Sequence, residues 1–215
     1  MDVYRTEEEQ TDAIKRWLRE NGLSLITGLM LGLAVLFGFK TWNEYGERQA
    51  EAASNLYMQF AAGVAQDEET AVTAYDTLVK DFSGSEYAVL ASLHMAKLRL
   101  EKDDLTAAQA HLQWAMDRAR IDPLKHTARL RLARVLLSNG DVDAADKLIA
   151  GITDPSYTVL YEELRGDIAQ ARNDMQAAHD AYERALAAMP EDLPGRALIE
   201  AKRDDSVRDS TGQAS

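Results

Sequence analysis

An uninterrupted apolar run near the start of the chain constrains its fold more than any other feature. Residues 21–39 contain no charged side chain. In an α-helix these 19 residues rise by roughly 28 Å, which matches the hydrocarbon thickness of a bilayer. Trp17 precedes the run, and Trp42 and Tyr45 follow it, as is typical of aromatic side chains at the two membrane interfaces. We therefore predict one transmembrane helix over residues 21–42.

The flanks of this run indicate how the chain crosses the membrane. No small-x-small cleavage site follows the run directly, which favours an uncleaved signal anchor over a cleaved signal peptide. Four Lys or Arg residues precede the run, and two lie in the 20 residues after it. Because Lys and Arg tend to stay on the cytoplasmic side, we expect a type II single-pass protein with a cytoplasmic N-terminus and the rest of the chain across the membrane.

Residues 1–20 carry a shorter helical pattern. Ile14, Trp17 and Leu18 share one helical face, so residues 1–20 are predicted to be a cytoplasmic amphipathic segment that leads into the span. A solvated tail is the alternative for so short a pattern.

Small residues recur within the span. Ser24, Gly28 and Gly32 are four residues apart and fall on one side of the helix. Such a stripe allows another membrane helix to approach closely, and we predict a helix contact there. The alternative is a stripe without a partner, since glycine is common in membrane helices generally.

Beyond the span, the sequence is self-similar. The composition is rich in helix formers, and proline occurs only four times. In three segments a small residue stands twelve positions before an alanine, in the pairs Ala96 and Ala108, Ala133 and Ala145, and Gly166 and Ala178. This spacing across a helix–turn–helix is the tetratricopeptide pattern. A weaker unit upstream contains Ala71.

The predicted fold class is therefore all-α: an N-terminal single transmembrane helix followed by a tetratricopeptide-like α-solenoid of about three to four repeats. The repeat domain is placed at residues 43–203, and residues 204–215, which lack apolar periodicity, are predicted to be a disordered tail. Turn signals such as Asn139-Gly140 separate the helices. We place these near residues 43–66, 68–81, 85–101, 105–120, 125–138, 142–151, 157–172, 175–188 and 194–203.

Charge and residue types argue against several function classes. The net charge is −12, and an acidic domain repels phosphate backbones, so nucleic acid is not an expected partner. The chain has no cysteine. None of its four histidines pairs with another at metal-ligand spacing, and no catalytic motif occurs. We expect no enzyme, no cofactor and no metal site.

Repeat arrays bind proteins along a face built by the first helix of each pair. In the tetratricopeptide register, that face is rich in leucine with a few cations. The predicted protein-binding groove contains Leu90, Leu93, Lys97, Leu100, Leu130, Arg134 and Leu137. Exposed leucines there suit binding of apolar protein segments. The alternative is that these leucines pack inside the array.

Residues 4–45 carry a more specific resemblance. The opening YRTEEEQ at residues 4–10, the IKRW motif at residues 14–17, the Asn21-Gly22 pair and the glycine-interrupted span ending in Trp42 are similar to the YfgM family. That family comprises ancillary subunits of the bacterial SecYEG translocon, and the resemblance continues more loosely through the repeats.

The resemblance implies a location, partners and a function. It implies an inner-membrane protein whose repeat domain is periplasmic. It implies SecYEG and the membrane-anchored chaperone PpiD as partners, together with unfolded secretory proteins as clients, and no catalytic residues. The hypothesis is a non-enzymatic translocon subunit with chaperone-like binding. The alternative is a structural scaffold for envelope protein complexes without client binding.

Overall fold

The computed structural model describes residues 7–212, which form helices joined by short turns with no strand among them. The helices are α1 (Glu7–Gln66), α2 (Glu68–Asp81), α3 (Glu86–Glu101), α4 (Leu105–Arg118), α5 (Asp122–Ser138), α6 (Val142–Ile149), α7 (Thr158–Ala171), α8 (Met175–Ala187) and α9 (Arg196–Gly212). A 3-10 turn at Pro155–Tyr157 precedes α7. The first six residues of the predicted cytoplasmic segment lie outside the described residues.

The long helix α1 contains the apolar run. Within the described residues it is the one helix that is long and apolar enough to cross a membrane. The large apolar side chains of residues 23–39 are 40% to 80% exposed. In a membrane, lipid chains would cover this apolar surface. The helix continues without a break to Gln66. The chain divides between Ala52 and Ala53 into two units, of which the second is the repeat domain.

Helix pairs with closely similar turns build the repeat domain. Each three-residue turn contains one residue in the left-handed region, namely Asp103 (φ 60°), Gly140 (φ 86°) or Asn173 (φ 62°). The N–H of the following Asp donates to a carbonyl five residues back, as Asp104 does to Arg99 at 2.9 Å, which is the Schellman arrangement. In the first and third turns that Asp also caps the next helix through its side chain.

Small residues allow the helices of each pair to approach. Ala96, Ala108, Ala133, Ala145 and Ala178 are at most 1% exposed. At the equivalent glycine, Gly166, a Cβ atom would lie 2.3 Å from the ring of Tyr182, so a larger residue would force the Tyr182 ring to move. The repeat register inferred from the twelve-residue spacing is confirmed.

The weak upstream unit is also a helix pair, with a different turn. One residue, Asp67, joins α1 to α2 and caps α2. A Cβ atom at Gly63 would lie 2.7 Å from the backbone nitrogen of Ala71, so the helix backbones approach very closely here. Phe60 and Tyr75 belong to one buried cluster. Four helix pairs and α9 therefore make up the described part of the domain, and the predicted fold class is confirmed.

The last helix is longer than the sequence analysis placed it. Helix α9 extends to Gly212, beyond the predicted end of the repeat domain at residue 203, while residues 213–215 are not described; the disordered tail stays a prediction. Within residues 204–212, Ser206 is 1% exposed, and just before this segment Arg203 donates to Glu183 of α8 at 2.9 Å. An apolar periodicity could not reveal these contacts.

We predict that Ala145→Leu destabilises the protein by about 1–3 kcal/mol, because the added carbons overpack the approach of α5 and α6. Ala144→Leu is the matched control, since Ala144 is exposed on the same helix, and it should change stability by less than about 0.5 kcal/mol. Chemical unfolding of the full chain in detergent, followed by circular dichroism, measures both. Equal stability of the two variants would contradict the register.

Candidate functional site

A cavity of about 380 Å³ lies between α3 and α5, within the size range of ligand pockets. Both helices are the first members of their pairs, so the cavity lies on the face that repeat arrays use for binding. We call it the α3–α5 groove. Its lining residues are Leu93, Ala96, Lys97 and Leu100 of α3, Leu112 of α4, and Arg131, Arg134, Val135 and Ser138 of α5.

The floor of the α3–α5 groove is apolar. Leu93, Leu112 and Val135 are at most 5% exposed and belong to one core cluster. Leu100 stands at the edge and is 37% exposed. An apolar side chain placed in the groove would therefore contact carbon on the floor and at Leu100, without desolvating a polar group on that floor.

The rim of the groove is positively charged. Lys97 and Glu101 are 3.6 Å apart, as are Arg134 and Glu163; these ion pairs are longer than hydrogen bonds. Arg131 is exposed and forms no ion pair with any described residue. None of the nine lining residues is acidic, although the chain has 36 acidic and 24 basic residues.

The structure brings together part of the predicted groove. Leu93, Lys97, Leu100 and Arg134 line it, whereas Leu90, Leu130 and Leu137 do not. Leu130 is 3% exposed and packs in a cluster with Tyr161 and Leu164 of α7, beside the half-buried Leu137. The expectation of exposed leucines is therefore wrong for Leu93 and Leu130, and the alternative, packing inside the array, holds for them.

The repeat register explains this difference. A repeat register places equivalent positions of α3 and α5 in the groove. The two helices form opposite walls of the groove, however, so different faces of α3 and α5 line it. Leu93 lines the groove, and its equivalent Leu130, 37 residues on, faces α7 instead. The sequence analysis missed Arg131 for this reason. The signal that was available is its position three residues before Arg134, which places both on one side of α5.

In the third repeat, helix α9 covers the equivalent face of α7. Lys202 donates to Glu163 at 2.8 Å and to Asp167 at 2.9 Å. Burial lowers the pKa of Lys202, but its hydrogen bonds to these carboxylates outweigh this effect and the net shift is upward. Burial, together with the hydrogen bond to Asp167, also raises the pKa of Tyr182 far above its usual value. This face is occupied by the chain itself.

Two histidines of the domain contact tyrosine hydroxyls. Tyr75 Oη lies 2.9 Å from His111 Nδ1, and Tyr161 Oη lies 2.7 Å from His126 Nδ1. Burial lowers the pKa of His111 and so favours its neutral form. Among the described residues, no cluster of three His, Cys, Asp or Glu side chains is placed to hold a metal ion.

The small-residue stripe lies on α1. Ser24, Gly28 and Gly32 are exposed, and a Cβ atom at either glycine would meet no described atom within 4 Å. The stripe therefore has room for another helix, and the predicted contact stays a prediction.

Comparison with known proteins gives consistent matches over most of the chain. The model of a tetratricopeptide repeat-like domain family matches residues 15–207. A protein of Haemophilus influenzae is 33% identical over 184 residues, which cover 85% of this chain and 90% of that protein. One from Escherichia coli is 31% identical over 183 residues, covering 85% and 88%, and one from Neisseria gonorrhoeae is 25% identical over 206 residues, covering 95% and 99%.

All three relatives bear the name ancillary SecYEG translocon subunit. No solved structure matches the chain significantly.

We predict that changing Leu93 and Leu130 together to Asp unfolds the domain, since it buries two carboxylates without partners and removes two core side chains. The expected loss is about 4 kcal/mol or more. Leu100→Asp, at the groove edge, should cost no more than about 1 kcal/mol. Circular dichroism with chemical unfolding distinguishes the variants, and a stable double variant would show that these leucines are not core.

Proposed function

We propose, on the premise that this chain belongs to the family of the ancillary SecYEG translocon subunits, that it is a non-enzymatic accessory subunit of the bacterial SecYEG translocon. Its repeat domain binds a partner chaperone, translocated unfolded chains, or both. The single observation that carries the proposal is the match to proteins of that name over 85% to 95% of the chain, together with the family model that matches the anchor and the repeats at residues 15–207.

The anchor supports the membrane part of the proposal. A helix able to span a bilayer and a helical-repeat domain occur in one chain. The stripe of Ser24, Gly28 and Gly32 offers a surface that a translocon membrane helix can approach, because small residues let helix backbones pack closely in lipid. We assign this stripe to the contact with SecYEG.

The α3–α5 groove supports the binding part. It is open, while the equivalent face of α7 is covered by α9. Its apolar floor suits a side chain that an unfolded protein exposes, and such side chains are abundant on chains leaving a translocation channel. The membrane-anchored chaperone PpiD is the proposed partner protein, and the groove is the proposed place of contact for partner or client.

The absence of cysteine allows a direct test. Leu100→Cys introduces a single thiol at the groove, and a photocrosslinker attached there should capture a translocating chain or PpiD in membranes. Ala144→Cys, on an exposed position of α6, is the matched control and should capture neither above background. SecYEG should co-purify with both variants in mild detergent.

Co-purification without any crosslink from residue 100 would favour a structural scaffold that does not bind clients. Failure of SecYEG to co-purify with the unmodified chain would contradict the accessory-subunit proposal itself.

We predict further that the repeat domain is periplasmic, because more Lys and Arg precede the span than follow it closely. A reporter that fluoresces only in the cytoplasm should stay dark when it is fused to the C-terminus. The same reporter fused to the N-terminus is the control and should fluoresce. A bright C-terminal fusion would reverse the proposed orientation.

A further inference from the structure

We infer that the α3–α5 groove selects protein segments that place a carboxylate beside a large apolar side chain. The inference rests on the proposed function, since it names the chemistry of the segment that the repeat domain binds. The inference adds a requirement for negative charge in the bound segment to the requirement for an apolar side chain.

The charge requirement follows from the rim. Lys97, Arg131 and Arg134 stand around an opening whose lining includes no acid. Arg131 has no ion-pair partner among the described residues, and Arg134 is held by a long, 3.6 Å contact to Glu163. Arginine donates two parallel hydrogen bonds to a carboxylate, so both arginines have donors available for an incoming acidic side chain.

The apolar requirement follows from the floor. Leu93, Leu112 and Val135 form a nearly buried apolar floor, and Leu100, which is 37% exposed, supplies the larger part of the apolar surface at the edge of the groove. A carboxylate alone would pair with the rim and leave this surface in water. A neighbouring leucine, phenylalanine or similar side chain would cover it, at a gain proportional to the apolar area removed from water.

The charge of the rest of the molecule increases the specificity for acidic segments. The chain carries a net charge of −12, so an acidic segment is repelled elsewhere and attracted at the groove. A basic segment is attracted to the rest of the chain and repelled at the groove. Complementary charge of this kind acts mainly on specificity and on the rate of association, and salt should weaken it.

The test uses the full chain in detergent micelles and three fluorescent peptides of equal length. One alternates leucine with aspartate, one leucine with lysine, and one serine with aspartate. We expect the leucine–aspartate peptide to bind about tenfold or more tightly than the other two, by fluorescence anisotropy. Equal binding of the leucine–lysine peptide would overturn the charge requirement, and equal binding of the serine–aspartate peptide would overturn the apolar one.

Variants locate the binding. Arg131→Glu should weaken binding of the leucine–aspartate peptide by about tenfold. Lys125→Glu makes the same charge change at an exposed position of α5 outside the groove and should alter binding by less than about twofold. Arg131→Gln, which removes the charge without reversing it, serves if the Glu variant is not folded by circular dichroism. Equal effects at residues 125 and 131 would overturn the assignment to this groove.

Self-association of the chain is tested by light scattering, which reports the oligomeric state. A dimer that Arg131→Glu dissociates would mean that a second copy of the chain fills the groove, against the inference. A monomer that binds the leucine–aspartate peptide would support it.

Co-purification of SecYEG tests the proposed function independently of the peptides. A chain that binds SecYEG but does not distinguish the peptides would refute the inference alone. A chain that distinguishes the peptides without binding SecYEG would refute the proposed function.

Discussion

The structure depends on how closely two helices can pack within one pair. Alanine or glycine stands where the helices of a pair meet, and at Gly166 the ring of Tyr182 occupies the space that a Cβ atom would need. In each three-residue turn, one residue in the left-handed region lets the chain reverse direction between the two helices of the pair. Turn and contact therefore specify one unit that the chain then repeats.

Much of this could be predicted from the sequence because it is periodic. The twelve-residue spacing located the buried alanines, and the Asn139-Gly140 pair marked a turn whose glycine has φ 86°. The apolar run of α1 was visible because no charge interrupts it. Helix α9 beyond residue 203 was not visible, because residues 204–212 contain one large apolar residue, Val207, and therefore no apolar periodicity.

The location of the groove and part of its lining could be predicted from the sequence. A repeat register assigns equivalent residues to equivalent roles, and this is correct within a pair. A groove between pairs is different, because its two walls are opposite faces of the first helices of two successive pairs. Leu93 and Arg131 therefore line the same groove although their positions within the repeat differ. Lys97 and its equivalent Arg134 do line the groove together, so the register was correct for this pair of cations.

This geometry separates the residues that form the array from those that line its grooves. The buried alanines must be small in every pair, so they cannot vary with the ligand. The residues of a groove wall belong to two different repeats and are free to differ between grooves. Between α5 and α7, Leu130 packs with Tyr161 and Leu164, and Arg134 pairs with Glu163, which also pairs with Lys202 of α9. Between α3 and α5 the same architecture leaves an apolar floor and an Arg131 that has no ion-pair partner in the described part of the chain. One repeated unit thus supports both a closed core and an open groove.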